Sequence, residues 1–247
     1  SYDLTIDGLT VDFGGFRAVD NFTTIVRRGE LRVILGPNGA GKTTLMDLVS
    51  GKTKVTAGTI RLLGKDITNL PEHKIAREGL GRKFQIPSVF RELTARENLE
   101  VAASRETSVF GSLKFSKTSE EKLIISEVVE TCGLVDFLDK PAGDLAHGQM
   151  QWLELGMLIS QRPRLILLDE PTAGMTRDET YKTAEIIKRL KGEHTLIVVE
   201  HDMAFVKEIA EKITVMHLGK LLAEGGVSEI EKNKAVQEAY LGSGGIH

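Results

Sequence analysis

Hydrophobic and polar positions alternate along the first thirty residues. Leu4, Ile6, Leu9, Val11 and Phe13, then Phe22 and Ile25, recur at a spacing near two, broken at Gly14-Gly15 and Arg28-Gly29. That period predicts two strands joined by a turn. Residues 31–35 form a mainly apolar run ending at Gly36, as a buried strand does. Residues 43–50 read as helix and 58–63 as a short strand. The texture changes near Pro87. Thr94-Ala-Arg-Glu97 and Thr118-Ser-Glu-Glu121 have the form of capping boxes, and Leu123, Ile124, Val128 and Val129 follow helical spacing. Residues 87–161 therefore read as mostly helix, with a flexible stretch at 104–117. Trp152 and Met157 fit a core or interface position. From Arg164 strands and helices alternate again: strand 165–168, helix 178–190, strand 195–199, helix 203–210, a hairpin over 214–224 turning at Gly219, and one last helix over 227–240. The charged run 182–191 reads as a solvated helix face. The layout is a single domain over 1–247, an α/β core (1–86 and 162–247) carrying an inserted α-helical piece at 87–161.

Composition narrows the class. Of 247 residues, 41% are hydrophobic and 27% charged, ordinary for a globular chain with a full core. Lys and Arg number 32 against 35 Asp and Glu, a net charge of −3, which argues against nucleic acid held on a basic face. Cys132 is the single cysteine, so no intrachain disulfide is possible. The apolar runs fall far short of the roughly 18 residues of a membrane span. The first residues show no basic segment followed by an apolar one, so no signal peptide is expected. These features predict a cytoplasmic protein that reaches a membrane only through a partner.

The chemistry begins at Gly36. Gly36, Pro37, Asn38, Gly39, Ala40, Gly41, Lys42 and Thr43 fit the phosphate-loop pattern G-x4-G-K-[ST] without a mismatch. Wrapping an anion in backbone N–H groups needs glycines, and the following helix, with Thr44 in its first turn, adds partial positive charge. Lys42 brings a full charge to the β and γ phosphates, and the Thr43 hydroxyl can ligate Mg²⁺. The second half lies at the end of an apolar strand, Leu165-Ile-Leu-Leu168-Asp169-Glu170. Asp169 is placed to hold Mg²⁺ directly or through water. Glu170 can orient a water for in-line attack and act as general base.

With both halves in view, the chain resembles the ATP-binding cassette (ABC) ATPases from Leu4 to Leu241. Leu145, Ala146, His147, Gly148 and Gln149 correspond to the signature usually written Leu-Ser-Gly-Gly-Gln, which in the family binds the γ-phosphate held by the other subunit of a dimer. Gln85 matches the glutamine that senses Mg²⁺ and the attacking water and couples to the membrane partner. His201 matches the switch histidine that contacts the γ-phosphate. Phe13 falls where the family stacks an aromatic ring on adenine, with Phe16 the other candidate. Ala173-Gly-Met-Thr176 falls where a loop contacts the opposite site. The resemblance implies ATP and Mg²⁺ as ligands, and a pair of cassettes joined head to tail, as a homodimer or with a similar second ATPase. It also implies two transmembrane permeases and, indirectly, a solute-binding protein, the ATPases lying on the inner face of the cell membrane.

Two positions depart from the pattern. Ala146 replaces the signature serine and removes a hydroxyl donor, a gap that the ring N–H of neighbouring His147 could refill. Thr176 stands where the family commonly has Asp. Both suit importers of branched-chain amino acids, amides and urea. The wording Ser108-Val-Phe-Gly-Ser-Leu113, His147-Gly-Gln-Met-Gln-Trp-Leu-Glu154 and Ala-Gly-Met-Thr176 is most similar to the first ATP-binding subunit of urea importers, with a branched-chain amino acid importer as the alternative. A soluble ABC ATPase without a transporter fits less well, since such chains usually carry two cassettes. A GTPase is excluded by Asn233-Lys-Ala-Val236, which lacks the guanine-reading Asp, and a simple kinase by the signature itself.

Overall fold

The computed structural model describes residues 1–83, 88–104 and 119–241. Its strands are β1 (Tyr2–Phe13), β2 (Phe16–Arg27), β3 (Leu31–Leu35), β4 (Ala57–Leu62), β5 (Lys65–Asp66), β6 (Leu80–Arg82), β7 (Leu165–Asp169), β8 (Thr195–Glu200), β9 (Lys212–His217) and β10 (Lys220–Gly225). Its helices are α1 (Lys42–Ser50), α2 (Glu72–Arg77), α3 (Ala95–Ser104), α4 (Ser119–Thr131), α5 (His147–Ser160), α6 (Arg177–Leu190), α7 (Met203–Ile209), α8 (Val227–Lys232) and α9 (Lys234–Leu241). The chain divides into two units. One comprises Ser1–Leu80, Arg164–Pro171 and Lys191–His247, the other Gly81–Pro163 and Thr172–Leu190. The second unit thus takes in α6, which the sequence pattern had left with the α/β core.

The first unit is built on two sheets. One is antiparallel, in the order β2-β1-β4-β5; the other runs β10-β9-β3-β8-β7-β6, with β9, β3, β8 and β7 mutually parallel. The alternation read in β1 puts Leu4, Ile6, Leu9 and Val11 in the core, against Leu45 and Leu48 of α1, Leu165 of β7 and Val199 of β8. Strands β3 and β8 are buried along their whole length, as continuous runs in a parallel sheet are.

Arg32, the second residue of β3, is buried too. Its guanidinium donates to Thr24 Oγ1 (2.9 Å), the Ile25 carbonyl (2.8 Å), Thr214 Oγ1 (3.1 Å), Glu30 Oε1 (3.0 Å) and Glu224 Oε2 (3.0 Å). Two carboxylates and three neutral acceptors on β2, β9 and β10 and the turn before β3 replace the water it gave up.

Beyond the end of β6, the regular elements described in the second unit are helices. The capping box at its first helix forms as the sequence predicts: Glu97 N–H donates to Thr94 Oγ1 and Thr94 N–H to Glu97 Oε1, both at 3.1 Å. Thr118 of the other predicted box, and the stretch 104–117 beyond Ser104, lie outside the described residues. On α4 the buried face is Ile124, Ile125, Val128 and Val129, and Leu123 is exposed rather than packed. The charged run on α6 is not wholly solvated. Lys182 crosses back to α5, its ammonium 4.0 Å from the centre of the Trp152 ring and donating to the Gly133 carbonyl at 3.0 Å. Trp152 Nε1 donates to Thr183 Oγ1 at 2.9 Å.

At the C-terminal end the single helix expected over 227–240 is two. Asn233 takes an extended backbone, φ −73° and ψ 117°, and its Oδ1 accepts the Val236 N–H at 3.1 Å. A side chain that caps the next helix competes with continuation of the previous one.

Candidate active site

The phosphate loop sits between β3 and α1. Gly41 caps α1 with φ 101°, and the Ala18 carbonyl lies 2.6 Å from where its Cβ would be, so only glycine fits. The loop is tied down by Ala40 N–H to the Pro37 carbonyl (3.1 Å) and Gly219 N–H to the Ala40 carbonyl (2.9 Å). Gly36 and Ala40 are buried, whereas Asn38, Gly39 and Thr43 are open to solvent. Lys42 is buried, and its ammonium donates to the Gly36 and Glu200 carbonyls, the latter at 3.3 Å. Burial pulls its pKa below the ordinary lysine value, against the opposing pull of Glu170, Glu200 and Asp169. A buried ammonium held between the loop's first carbonyl and the end of β8 is suited to pairing with a phosphate group.

Strands β7 and β8 bring the acidic pair into the same unit. Asp169 pairs with Val199 in the parallel ladder, and Glu170 N–H donates to the Val199 carbonyl at 2.9 Å. Glu170 has φ 41°, a left-handed backbone uncommon for a residue with a side chain. His201 Nδ1 lies 3.0 Å from Glu170 Oε1. Among the described residues no group of three or more His, Cys, Asp or Glu forms a metal cage. Thr43 and Asp169 suit Mg²⁺, which binds through one or two protein groups together with substrate phosphates.

Glu200, between β8 and His201, escaped the sequence reading. Its carboxylate accepts the N–H groups of His201 (3.2 Å) and Asp202 (3.4 Å), and burial pushes its pKa above the usual carboxylate value. The signal was available: a carboxylate ending an otherwise apolar strand, one residue before the histidine. Phe13 and Phe16 face one another across the β1–β2 turn, 52% and 68% exposed, so neither belongs to the core. Gln85 and the 108–113 segment lie outside the described residues.

In the second unit, Ala146 is the residue before α5 and His147 its first. Ala146 offers no side-chain cap, and only the reverse half of a capping box forms, Ala146 N–H to Gln149 Oε1 at 3.0 Å. His147 does not turn its Nε2–H toward a gap left by the missing serine. It stands 3.0 Å from the Ala173 carbonyl, which can only accept, so the ring N–H is engaged there. Glu179, in the first turn of α6, was also missed. Thr176-Arg-Asp-Glu179 is a capping box like the one at Thr94, with Glu179 N–H donating to Thr176 Oγ1 (3.2 Å) and Thr176 N–H to Glu179 Oε1 (3.1 Å).

Among the described residues no helix is long and apolar enough to cross a membrane. Residues 19–173 match the ABC transporter family model. The chain is 39% identical to the high-affinity branched-chain amino acid transport ATP-binding protein BraF of Pseudomonas aeruginosa, over 97% of each chain. It is 37% identical to the corresponding protein LivG of Escherichia coli, also over 97% of each. It superposes on an ATP-binding cassette of an ABC transporter in its ADP conformation with a TM-score of 0.85, at 28% identity and covering 98% and 99% of the two chains. A nucleotide-free cassette gives 0.80 at 28% identity, over 97% and 99%. None of these relatives is named for urea transport, the reading that the sequence wording suggested. The chain belongs to the ABC transporter ATP-binding proteins, of the LivG and BraF type, and is an ATPase of that family.

Proposed function

We propose that this chain is the ATP-hydrolysing subunit of an importer for branched-chain amino acids. The observation that supports the substrate class is full-length similarity to LivG and BraF, proteins named for that transport. This replaces the urea reading, which rested on short stretches of wording, one of them at 108–113.

In this reading the loop from Gly36 to Thr44 cradles the phosphates of ATP, with Lys42 near the β and γ groups. Thr43, Asp169 and Gln85 are the residues that would hold Mg²⁺, whose charge would offset that of the phosphates. Glu170 takes a proton from the attacking water, and His201, hydrogen-bonded to it, fixes its orientation and faces the γ-phosphate. Phe13 or Phe16 offers a ring to adenine. Leu145, Ala146, His147, Gly148 and Gln149 act on the ATP of a second cassette. Two permeases carry the solute, a solute-binding protein delivers it, and the ATPases work from the inner face of the membrane.

Deleting the gene and measuring uptake of labelled leucine and labelled urea tests the substrate class. Loss of leucine uptake with urea uptake intact is expected; the reverse pattern overturns it. The same strain carrying the Glu170→Gln chain separates ATP hydrolysis from mere assembly, since the complex should form and fail to transport.

A further inference from the structure

We propose that Glu200 is a positioning residue for ATP hydrolysis: its buried carboxylate holds the turn between β8 and α7, and through that turn fixes where the His201 ring meets Glu170. The proposal rests on the roles proposed above for Glu170 and His201.

The pair is loosely held by its own side chains. His201 and Glu170 meet at 3.0 Å, but their side chains are 54% and 40% exposed. An exposed pair contributes little by itself, and holding its two side chains in one geometry costs rotamer entropy. The backbone that carries the ring must therefore do the placing. On the Glu170 side the sheet does so, through the bond from the Glu170 N–H to the Val199 carbonyl. His201 has no such footing, because it follows the last residue of β8 and precedes Asp202, the cap of α7.

Glu200 supplies what the ladder no longer does. Its side chain folds back so that one oxygen, Oε2, accepts the N–H groups of both His201 (3.2 Å) and Asp202 (3.4 Å). Asp202 continues the arrangement, its Oδ1 accepting the N–H groups of Ala204 (3.0 Å) and Phe205 (3.5 Å) at the start of α7. Two carboxylates thus hold the backbone from 201 to 205, and His201 stands at its head. Glu200 is itself well fixed. It pairs with Leu35 in the parallel ladder, is 1% exposed, and its carbonyl accepts from the Lys42 ammonium at 3.3 Å. One residue therefore touches the phosphate-loop lysine through its backbone and the histidine's turn through its side chain.

Stability alone does not account for a carboxylate here. The other five residues of β8, Thr195–Val199, are buried and neutral. A neutral residue at 200 would avoid the desolvation that pushes this carboxyl's pKa up. The two N–H groups and the attraction of Lys42 offset part of that cost. An apolar side chain would spare it altogether, but would leave the turn unheld. Buried as it is, Glu200 does not reach a substrate, and its effect passes through His201.

The test uses the full-length chain with Glu200→Met, which keeps the side chain's length without an oxygen acceptor, and with Glu200→Gln, which keeps the acceptor. Steady-state hydrolysis of ATP with Mg²⁺ should show kcat about 10–100-fold lower in the Met variant, with ATP affinity by calorimetry unchanged. In the Gln variant kcat should return to the parent value. A loss in both variants, or in neither, overturns the proposal. The loss must also run through the histidine: adding Glu200→Met to His201→Ala should cost nothing further, and losses that multiply overturn it. Parent-like turnover in His201→Ala would overturn the role of His201 and this inference with it. A crippled His201→Ala beside a parent-like Glu200→Met overturns this inference alone. A second measurement needs no turnover. Amide exchange at His201 and Asp202 should be about ten-fold faster in Glu200→Met and at the parent rate in Glu200→Gln; equal exchange in all three chains overturns the proposal. Glu200→Ala, which adds no new bulk, is read in the same way if the Met chain does not fold.

Discussion

His201 Nδ1 and Glu170 Oε1 lie 3.0 Å apart although 31 positions separate the residues. The relationship follows from the sheet. Strands β7 and β8 are parallel neighbours in register, so the residues that follow them emerge side by side. The left-handed φ of Glu170 then directs the chain away from the strand line. In the role proposed for Glu170, removing the carboxylate charge takes away the general base and leaves the phosphate loop untouched. Glu170→Gln should lower ATPase turnover by about 10²–10⁴-fold, with ATP affinity by calorimetry unchanged. Near-normal turnover would remove Glu170 from this role.

Lys42→Ala acts on binding. It deletes the buried ammonium and, in the proposed function, a charge-assisted contact to phosphate of about 1.5–3 kcal/mol. Nucleotide affinity should fall by roughly 10–100-fold. Calorimetry of variant and parent with ATP reads this directly, and equal affinities would contradict it.

Ala146→Ser restores two things at once. The hydroxyl caps α5, where no side chain now does so, adding about 1 kcal/mol of stability. In the proposed pair the hydroxyl is also a donor for phosphate across the interface, so ATP-driven pairing of the Glu170→Gln chain should tighten by up to about one to two powers of ten. A melting temperature that rises without any change in pairing would restrict the residue to capping.

Glu200 gives a pH prediction. Its folded pKa is raised above the ordinary value of 4.5, chiefly by burial. A raised acid favours the folded state while protonated, so its contribution is full below the unfolded pKa and declines as pH climbs through the folded one. Glu200→Gln, whose amide oxygen can still accept the His201 and Asp202 N–H groups, should therefore raise the melting temperature near pH 7 and bring no gain near pH 4. An equal gain at both pH values would show that charge is not the cause.

Arg32→Met should destabilise the first unit by about 3–5 kcal/mol, because Glu30 and Glu224 would keep their charges without the guanidinium between them. Denaturant titration measures it; a loss under about 1 kcal/mol, as for an exposed pair, would show that water replaces the guanidinium.

Much of this was legible beforehand because it is local. Alternation in β1 and the apolar run of β8 state their burial residue by residue, and the phosphate loop is one unbroken pattern. The hidden features depend on neighbours far along the chain. Lys182 looks like surface charge until Trp152 comes beneath it. His147 looks free until Ala173 arrives. Arg32 interrupts an apolar strand, and its partners lie on β2, β9 and β10. Asn233 and the Thr176–Glu179 box were different, since capping residues are readable in sequence, but continuing helical periodicity at the first and the loop resemblance at the second masked them.

The α5–α6 junction also has an optical consequence. Trp152 is the chain's single tryptophan. Its indole N–H is bonded to Thr183, and the Lys182 ammonium lies over its ring. Ultraviolet-excited emission beyond the tyrosine range therefore comes from one place, beside a nearby positive charge that responds to any slippage between the two helices. The protein carries its own unlabelled fluorescent gauge of the junction between the signature helix and the helix that bears Glu179.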